Sequence, residues 1–371
     1  MPSICALLFP HAGSARLKNI AFAEVVHKHG PCSPHGQAKP NALNHTKTLA
    51  RDQSRVALIR SNFSMSSSNN PTKGGSLGGS KATILATLFD SVEYVVTIGI
   101  GSTQSRLTLA FDTGSDLTWI QCEPCLSCHH QSKPIFNPSH FSSYTNVLCT
   151  SPLCKGISTS CSGSTCNYQI TYGNQSSSST NLTTDTLTLT FTYVIRNFQF
   201  SCGRFNYGLF DKEAGLLGLA RDGLSIVGQT ASKYGRYISY CLPSSSISTG
   251  YLILGKTTPN SLTLTALATI QEIGTTLQIL STVFSKAEAI IDSGTVITRL
   301  PPMVYNAMRT AFQREMAGYD MAKSFNIFDT CYDLHNNNTN IVIYGNMRQK
   351  TFEVIYDDAR GQLGFAPSGC L

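Results

Sequence analysis

Ala110-Phe111-Asp112-Thr113-Gly114-Ser115 and Ile290-Ile291-Asp292-Ser293-Gly294-Thr295 repeat one pattern 180 positions apart. In each, an apolar run ends in Asp-(Thr/Ser)-Gly-(Ser/Thr), which reads as a strand delivering a carboxylate to a tight turn. Glycine lets the backbone turn closely, and the flanking hydroxyls can hydrogen-bond a carboxylate and fix its orientation. A single such loop is a common strand end, where aspartate merely caps the turn. Two copies predict two carboxylates facing each other across a pseudo-twofold axis, a geometry suited to activating one water molecule.

Composition agrees with a β-rich body. Of 371 residues, 41% are hydrophobic and only 13% charged, while Ser, Thr, Gly and Tyr are plentiful. That length allows one large or two ordinary domains. The formal charge of +7 invites a nucleic-acid reading, but residues 1–81 hold ten Lys/Arg against only Glu24 and Asp52. The remainder carries 18 Lys/Arg and 19 Asp/Glu, so the basicity belongs to the N-terminal segment. No apolar run reaches the ~18–20 residues that span a bilayer, so no membrane association is expected. Ile4–Phe9 is short for a signal-peptide core of ~7–15 residues, and the route of targeting is not legible.

Eleven of thirteen cysteines follow residue 120. Cys122-x-x-Cys125-x-x-Cys128-His129-His130 has a superficial zinc-ligand look. A structural zinc, however, usually draws ligands from two well-separated pairs. Four more cysteines, Cys149, Cys154, Cys161 and Cys166, sit among Ser, Gly and Asn, as in a disulfide-stapled loop. Disulfides are the favoured reading, and sequons at Asn44, Asn62, Asn174, Asn181 and Asn337 agree with an oxidising compartment and a glycoprotein.

Residues 20–62 include a mostly polar helical pattern, clearest from Thr48 to Ile59. The Ser/Asn/Gly stretch Ser64–Ser80 reads as a cleavable linker. Strands are expected at Tyr94–Gly99, Leu107–Phe111, Asn167–Tyr172, Thr184–Tyr193 and Gly250–Leu254, and a helix at Met303–Met316 behind Pro301-Pro302. A second repeat accompanies the first: Gly215-Leu216-Leu217-Gly218 follows Asp112, and Ile343-Tyr344-Gly345 follows Asp292. The spacings are unequal, 106 positions from Asp112 to Gly218 but 53 from Asp292 to Gly345.

These paired motifs resemble the pepsin-like aspartic proteases, in which the second motif cradles the first in each lobe. Further blocks are similar to the plant nepenthesin-like, or chloroplast nucleoid DNA-binding protein-like, subfamily. They are Val25-Val26-His27-Lys28-His29-Gly30-Pro31-Cys32-Ser33-Pro34, Gln121-Cys122-Glu123-Pro124-Cys125, Ser239-Tyr240-Cys241-Leu242-Pro243 and Gly364-Phe365-Ala366-Pro367. The resemblance implies an all-β, bilobal fold with few helices. Residues 1–80 would be pro-segment and linker, 81–260 an N-terminal lobe and 261–371 a shortened C-terminal lobe.

By the same resemblance, Asp112 and Asp292 are the catalytic pair of an acid endopeptidase made as a zymogen, acting on protein or peptide without metal or cofactor. Gly114, Gly294, Ser115 and Thr295 would line the substrate. Tyr172 would be the flap tyrosine and Trp119 its hydrogen-bond partner, although a tyrosine before glycine also suits a hairpin and a lone tryptophan also suits a core. The implied disulfides are Cys122–Cys125, Cys128–Cys202, Cys149–Cys166, Cys154–Cys161 and Cys241–Cys370, leaving Cys331 odd. Asn174 stands where the family has Asp, and the strand content between Leu267 and Leu280 looks reduced. The expected protein is a monomer, secreted or vacuolar with a plastid as alternative, and its mature region binds no nucleic acid. The rival reading is a pepsin-fold protein with impaired activity, its short second lobe leaving sheet edges exposed.

Overall fold

The computed structural model describes residues 20–35, 46, 48–57, 94–154, 159–171, 176–190, 193–208, 210–243, 248–256, 263–269, 275–278, 288–302, 305–306, 309–310, 341–345, 349–350 and 352–367. Strands dominate. Tyr94–Ile100 and Ser105–Asp112 form an antiparallel pair, with Val96 opposite Leu109 and Val95 opposite Ala110. Both are rich in β-branched or aliphatic side chains buried on both faces, which is why they lie inside the sheet.

The N-terminal segment enters this sheet as well. Residues 20–62 carry a helical pattern, yet Ala21–His27 is a strand. It pairs antiparallel with Thr249–Leu254 on one side and Tyr94–Ile100 on the other. Its alternation decides this: Ala21, Ala23 and Val25 are fully buried in the main core, a period of two that the short-range helical reading overlooked. Beyond Thr249–Leu254 the sheet continues through Tyr237–Cys241, Phe352–Asp357 and Gln362–Pro367 to Thr263–Thr269. Strands from before and after residue 260 therefore share one continuous sheet. Residues 48–57 do form the expected helix, with Leu49, Asp52, Arg55 and Val56 on its buried face.

Thr165–Thr171 and Thr249–Leu254 lie close to the expected positions, whereas Ser177–Thr188 begins and ends well before the strand expected at Thr184–Tyr193. Thr263–Thr269 and Thr275–Gln278 supply strands in the region that looked depleted. Tyr305 N–H donates to Pro301 O at 2.9 Å, so a helical turn begins at the Pro-Pro pair; most of Met303–Met316 lies outside the described residues. Ile226–Gln229 and Ala231–Tyr234 are two further short helices, the first capped by the Ser225 hydroxyl accepting from Gly228 N–H. Among the described residues no helix is long and apolar enough to cross a membrane.

Eight of the described cysteines form four disulfides, which differ from the four pairs implied for them. The bonds are Cys122–Cys202, Cys125–Cys128, Cys149–Cys161 and Cys154–Cys166. Sheet register explains the first correction. Trp119–Gln121 runs parallel to Ser201–Gly203, so Cys122 leaves the strand beside Cys202, with Cα atoms 5.4 Å apart. Cys125 then lies within reach of Cys128. In the second loop each bond spans 12 positions, Cys149 to Cys161 and Cys154 to Cys166, so the two staples interleave instead of nesting. These bonds consume the cysteines of the zinc-like motif. Cys331 and Cys370 lie outside the described residues.

Gly215 marks the tightest crossing. A Cβ built there would sit 1.9 Å from the Trp119 carbonyl oxygen, because Gly215-Leu216 pairs antiparallel with Trp119-Ile120. Gly215→Ala is expected to lower stability by at least ~1–3 kcal/mol through overpacking, read as the shift in denaturant midpoint of the full chain.

Candidate active site

Each Asp loop is seated by the same device. Gly215–Gly218 runs parallel to Ser105–Asp112, setting Gly218 opposite Asp112. Ile341–Gly345 runs parallel to Glu288–Asp292, setting Gly345 opposite Asp292. The 53-residue connection thus delivers its glycine to the same register as the 106-residue one. On the first side the seat is tightened by Leu219 N–H to Asp112 O at 3.1 Å and Ala220 N–H to Ser115 O at 3.0 Å.

Within each turn the carboxylate is held from its own loop. Asp112 accepts from Gly114 N–H at 3.1 Å and from the Ser115 hydroxyl. Asp292 accepts from Gly294 N–H at 3.0 Å and from Thr295 Oγ1 at 2.5 Å. Gly114, Ser115, Gly294 and Thr295, expected along the substrate, thus direct these donors at the carboxylates. The middle residues do something the sequence did not separate from this. Thr113 N–H donates to Ser293 Oγ at 3.1 Å, and Ser293 N–H donates to Thr113 Oγ1 at 3.0 Å. This reciprocal exchange ties the two loops together, and all four residues involved in it or flanked by it, Asp112, Thr113, Asp292 and Ser293, are buried. The signal was present as hydroxyl residues at equivalent positions of the two motifs.

Between the carboxylates lies a cation from the N-terminal segment. Arg55 Nη2 donates to Asp292 Oδ1 at 2.5 Å and to Asp112 Oδ1 at 3.2 Å, while its Nε donates to Asp292 Oδ2 at 2.7 Å and Thr295 Oγ1 at 3.2 Å. One guanidinium therefore spans both aspartates, and Arg55 is only 3% exposed. Its planar fork matches a carboxylate edge, which a lysine could not do. The fit depends on glycine: a Cβ on Gly294 would lie 2.4 Å from Arg55 Nη2.

Burial and this cation divide the pair. For Asp112, burial raises the carboxyl above its ordinary range against the pull of Arg55, and the Asp292 charge adds to the rise. For Asp292, burial pushes upward too, but the Arg55 charge and hydrogen bonds, with Thr295 and Gly294, hold it below the usual range. The two carboxyls titrate as a pair, with burial pushing Asp112 upward and Arg55 holding Asp292 down.

One turn earlier on the same helix, Asp52 is fully buried. It accepts from Val296 N–H at 2.6 Å and from Arg299 Nη2 at 2.8 Å. Neither Asp52 nor Arg299 stood out in the sequence. Lys28, also in the basic segment, pairs with Asp211 at 3.5 Å. These cations of the N-terminal segment face the protein's own acids. Trp119 is fully buried, its ring set edge-on to Phe210 at 5.5 Å between centroids. Tyr172 and Asn174 lie outside the described residues.

The xylanase inhibitor N-terminal and C-terminal family descriptions match residues 94–256 and 265–342. The chain is 40% identical to aspartyl protease AED1 of Arabidopsis thaliana, over 93% of this chain and 86% of that protein. It is 38% identical to another Arabidopsis thaliana aspartyl protease family protein, over 99% of this chain and 90% of the relative. The chain belongs to the pepsin-like aspartic proteases of plants. Among solved structures, soybean basic 7S globulin shares the fold, with a TM-score of 0.58 and 18% identity over 74% of this chain and 93% of the globulin.

Thr113→Val and Ser293→Ala each remove one side of the reciprocal exchange and strand a buried N–H. Each is expected to cost about 1–3 kcal/mol, with the double variant less destabilised than the two losses added. Denaturant unfolding of the four proteins checks this.

Proposed function

We propose that this aspartic protease is an acid endopeptidase made as a zymogen, with Asp112 and Asp292 as its catalytic dyad and residues 48–57 as its plug. The observation that carries the reading is the single Arg55 guanidinium shared by both aspartates. A cation at that point compensates the two buried carboxylates while the segment is docked, and it fills the space where a water and a peptide carbonyl would have to sit.

With the segment gone, two carboxylates at one point cannot both ionise cheaply, so one holds a proton and the other acts as base. The base takes a proton from water as its oxygen bonds to the peptide carbonyl carbon. The acid protonates that carbonyl oxygen, and collapse of the tetrahedral intermediate breaks the C–N bond as the amine receives a proton. Hydrogen bonds from Ser115 and Thr295 keep the carboxylates oriented without taking part in proton transfer. The disulfides agree with maturation in the secretory system or vacuole.

Incubation of the full chain with a denatured protein at acid pH, with and without pepstatin, tests the reading. Pepstatin-sensitive cleavage is expected, and Asp112→Asn or Asp292→Asn should lower it by ~10²–10⁴-fold or more. Cleavage that survives both variants would point to another mechanism.

The plug also carries a pH dependence. Arg55 holds Asp292 below its ordinary value, so its contribution to docking is complete above the usual aspartate pKa of ~3.9. That contribution is lost as the pH falls through the lower, docked value. Arg55→Gln should therefore move the onset of cleavage toward higher pH, measured as peptidase activity of the full chain after incubation across a pH series.

A further inference from the structure

Asp52 sits in a site that is built for a carboxylate and that belongs to the body of the enzyme. Its two oxygens are taken by different donors, Oδ1 by the Val296 backbone N–H and Oδ2 by Arg299 Nη2. Arg299 is 8% exposed, and among the described residues its hydrogen-bond acceptors, Asp52 and Gln53, both come from the helix that plugs the cleft. The place is adjacent to the chemistry. Val296 directly follows Thr295, whose hydroxyl bonds Asp292, and Asp52 lies one helical turn from Arg55, which spans the dyad.

We propose that Val296 N–H and Arg299 form an acidic-side-chain subsite, occupied by Asp52 in the full chain and by a substrate aspartate or glutamate during cleavage. The proposal rests on the peptidase reading and adds a substrate class to it. Burial pulls the Arg299 charge toward neutrality while Asp52 sustains it, so departure of the helix leaves a half-hidden cation facing the vacated cleft. An amide or hydroxyl side chain could accept one hydrogen bond there, but only a carboxylate accepts both and neutralises the guanidinium. Arg299 is a specificity-determining residue in this reading, and the dyad does the chemistry.

Matched peptides separate this from the peptidase reading. The full chain is matured at acid pH and then assayed near pH 5, where Asp and Glu, with ordinary pKa values of ~3.9 and ~4.3, are mostly ionised. Peptides differ only by Asp against Asn, or Glu against Gln, at each position flanking the scissile bond. At one position the acidic peptide should show a kcat/KM about tenfold or more above its amide twin, and the ratio should fade as the assay pH drops below ~3.5. Arg299→Gln should bring the ratio to within about twofold, Arg299→Lys should retain part of it, and Arg299→Glu should favour a lysine at that position. The ratio is independent of how much variant folds, and the wild-type ratio with its pH dependence needs no variant. Cleavage with acidic and amide peptides equal at every position overturns the subsite and leaves the peptidase standing. Absence of any peptide cleavage overturns both.

Discussion

Two carboxylates buried at one point are an electrostatic liability, and much of the structure answers it. Asp112 and Asp292 lie beneath the surface, where an uncompensated charge is costly and two like charges are worse. Backbone N–H groups from Gly114 and Gly294, hydroxyls from Ser115 and Thr295, and the Arg55 fork each supply positive potential to these oxygens. The Thr113–Ser293 exchange holds the two loops close enough for one guanidinium to serve both. Removing a partner from such a buried arrangement leaves charge without compensation, which is strongly destabilising.

The N-terminal segment is bound to the rest by two unlike kinds of interaction. Ala21–His27 contributes a central strand, apolar on its core-facing side and hydrogen-bonded on both edges. Residues 48–57 contribute charge, with Arg55 on the dyad and Asp52 on Arg299. Strand pairing and apolar burial respond weakly to pH, while the ion pairs depend on carboxylates being ionised. The same segment thus combines contacts that respond weakly to pH with ion pairs that depend on ionised carboxylates.

That division also places two of the ten cations in the basic start of the chain. Arg55 and Lys28 are matched to acids of the protein itself. A clustered excess of Lys and Arg reads from composition alone as an electrostatic footprint for an external anion, whereas these two cations face inward.

Much of the fold was legible from the two Asp-x-Gly repeats and their Gly partners, because a strand that ends in a carboxylate turn is a local pattern in φ/ψ and hydrophobicity. The helix at residues 48–57 was legible for the same reason. The strand at Ala21–His27 was not, since alternation over seven residues is weak until two neighbouring edges are known to accept it. Disulfide pairing was misread at four bonds because sequence order says little about which cysteines a parallel strand pair brings together, as Cys122 and Cys202 show. By itself, then, the sequence determined the residue types and turns at each Asp loop, which depend on near neighbours in the chain. Only the tertiary structure decided that Thr113 bonds Ser293, that Arg55 spans both carboxylates and that Asp52 rests on Arg299. Those contacts join positions 57 to 247 residues apart, and no local rule relates such distant groups until the sheet has folded.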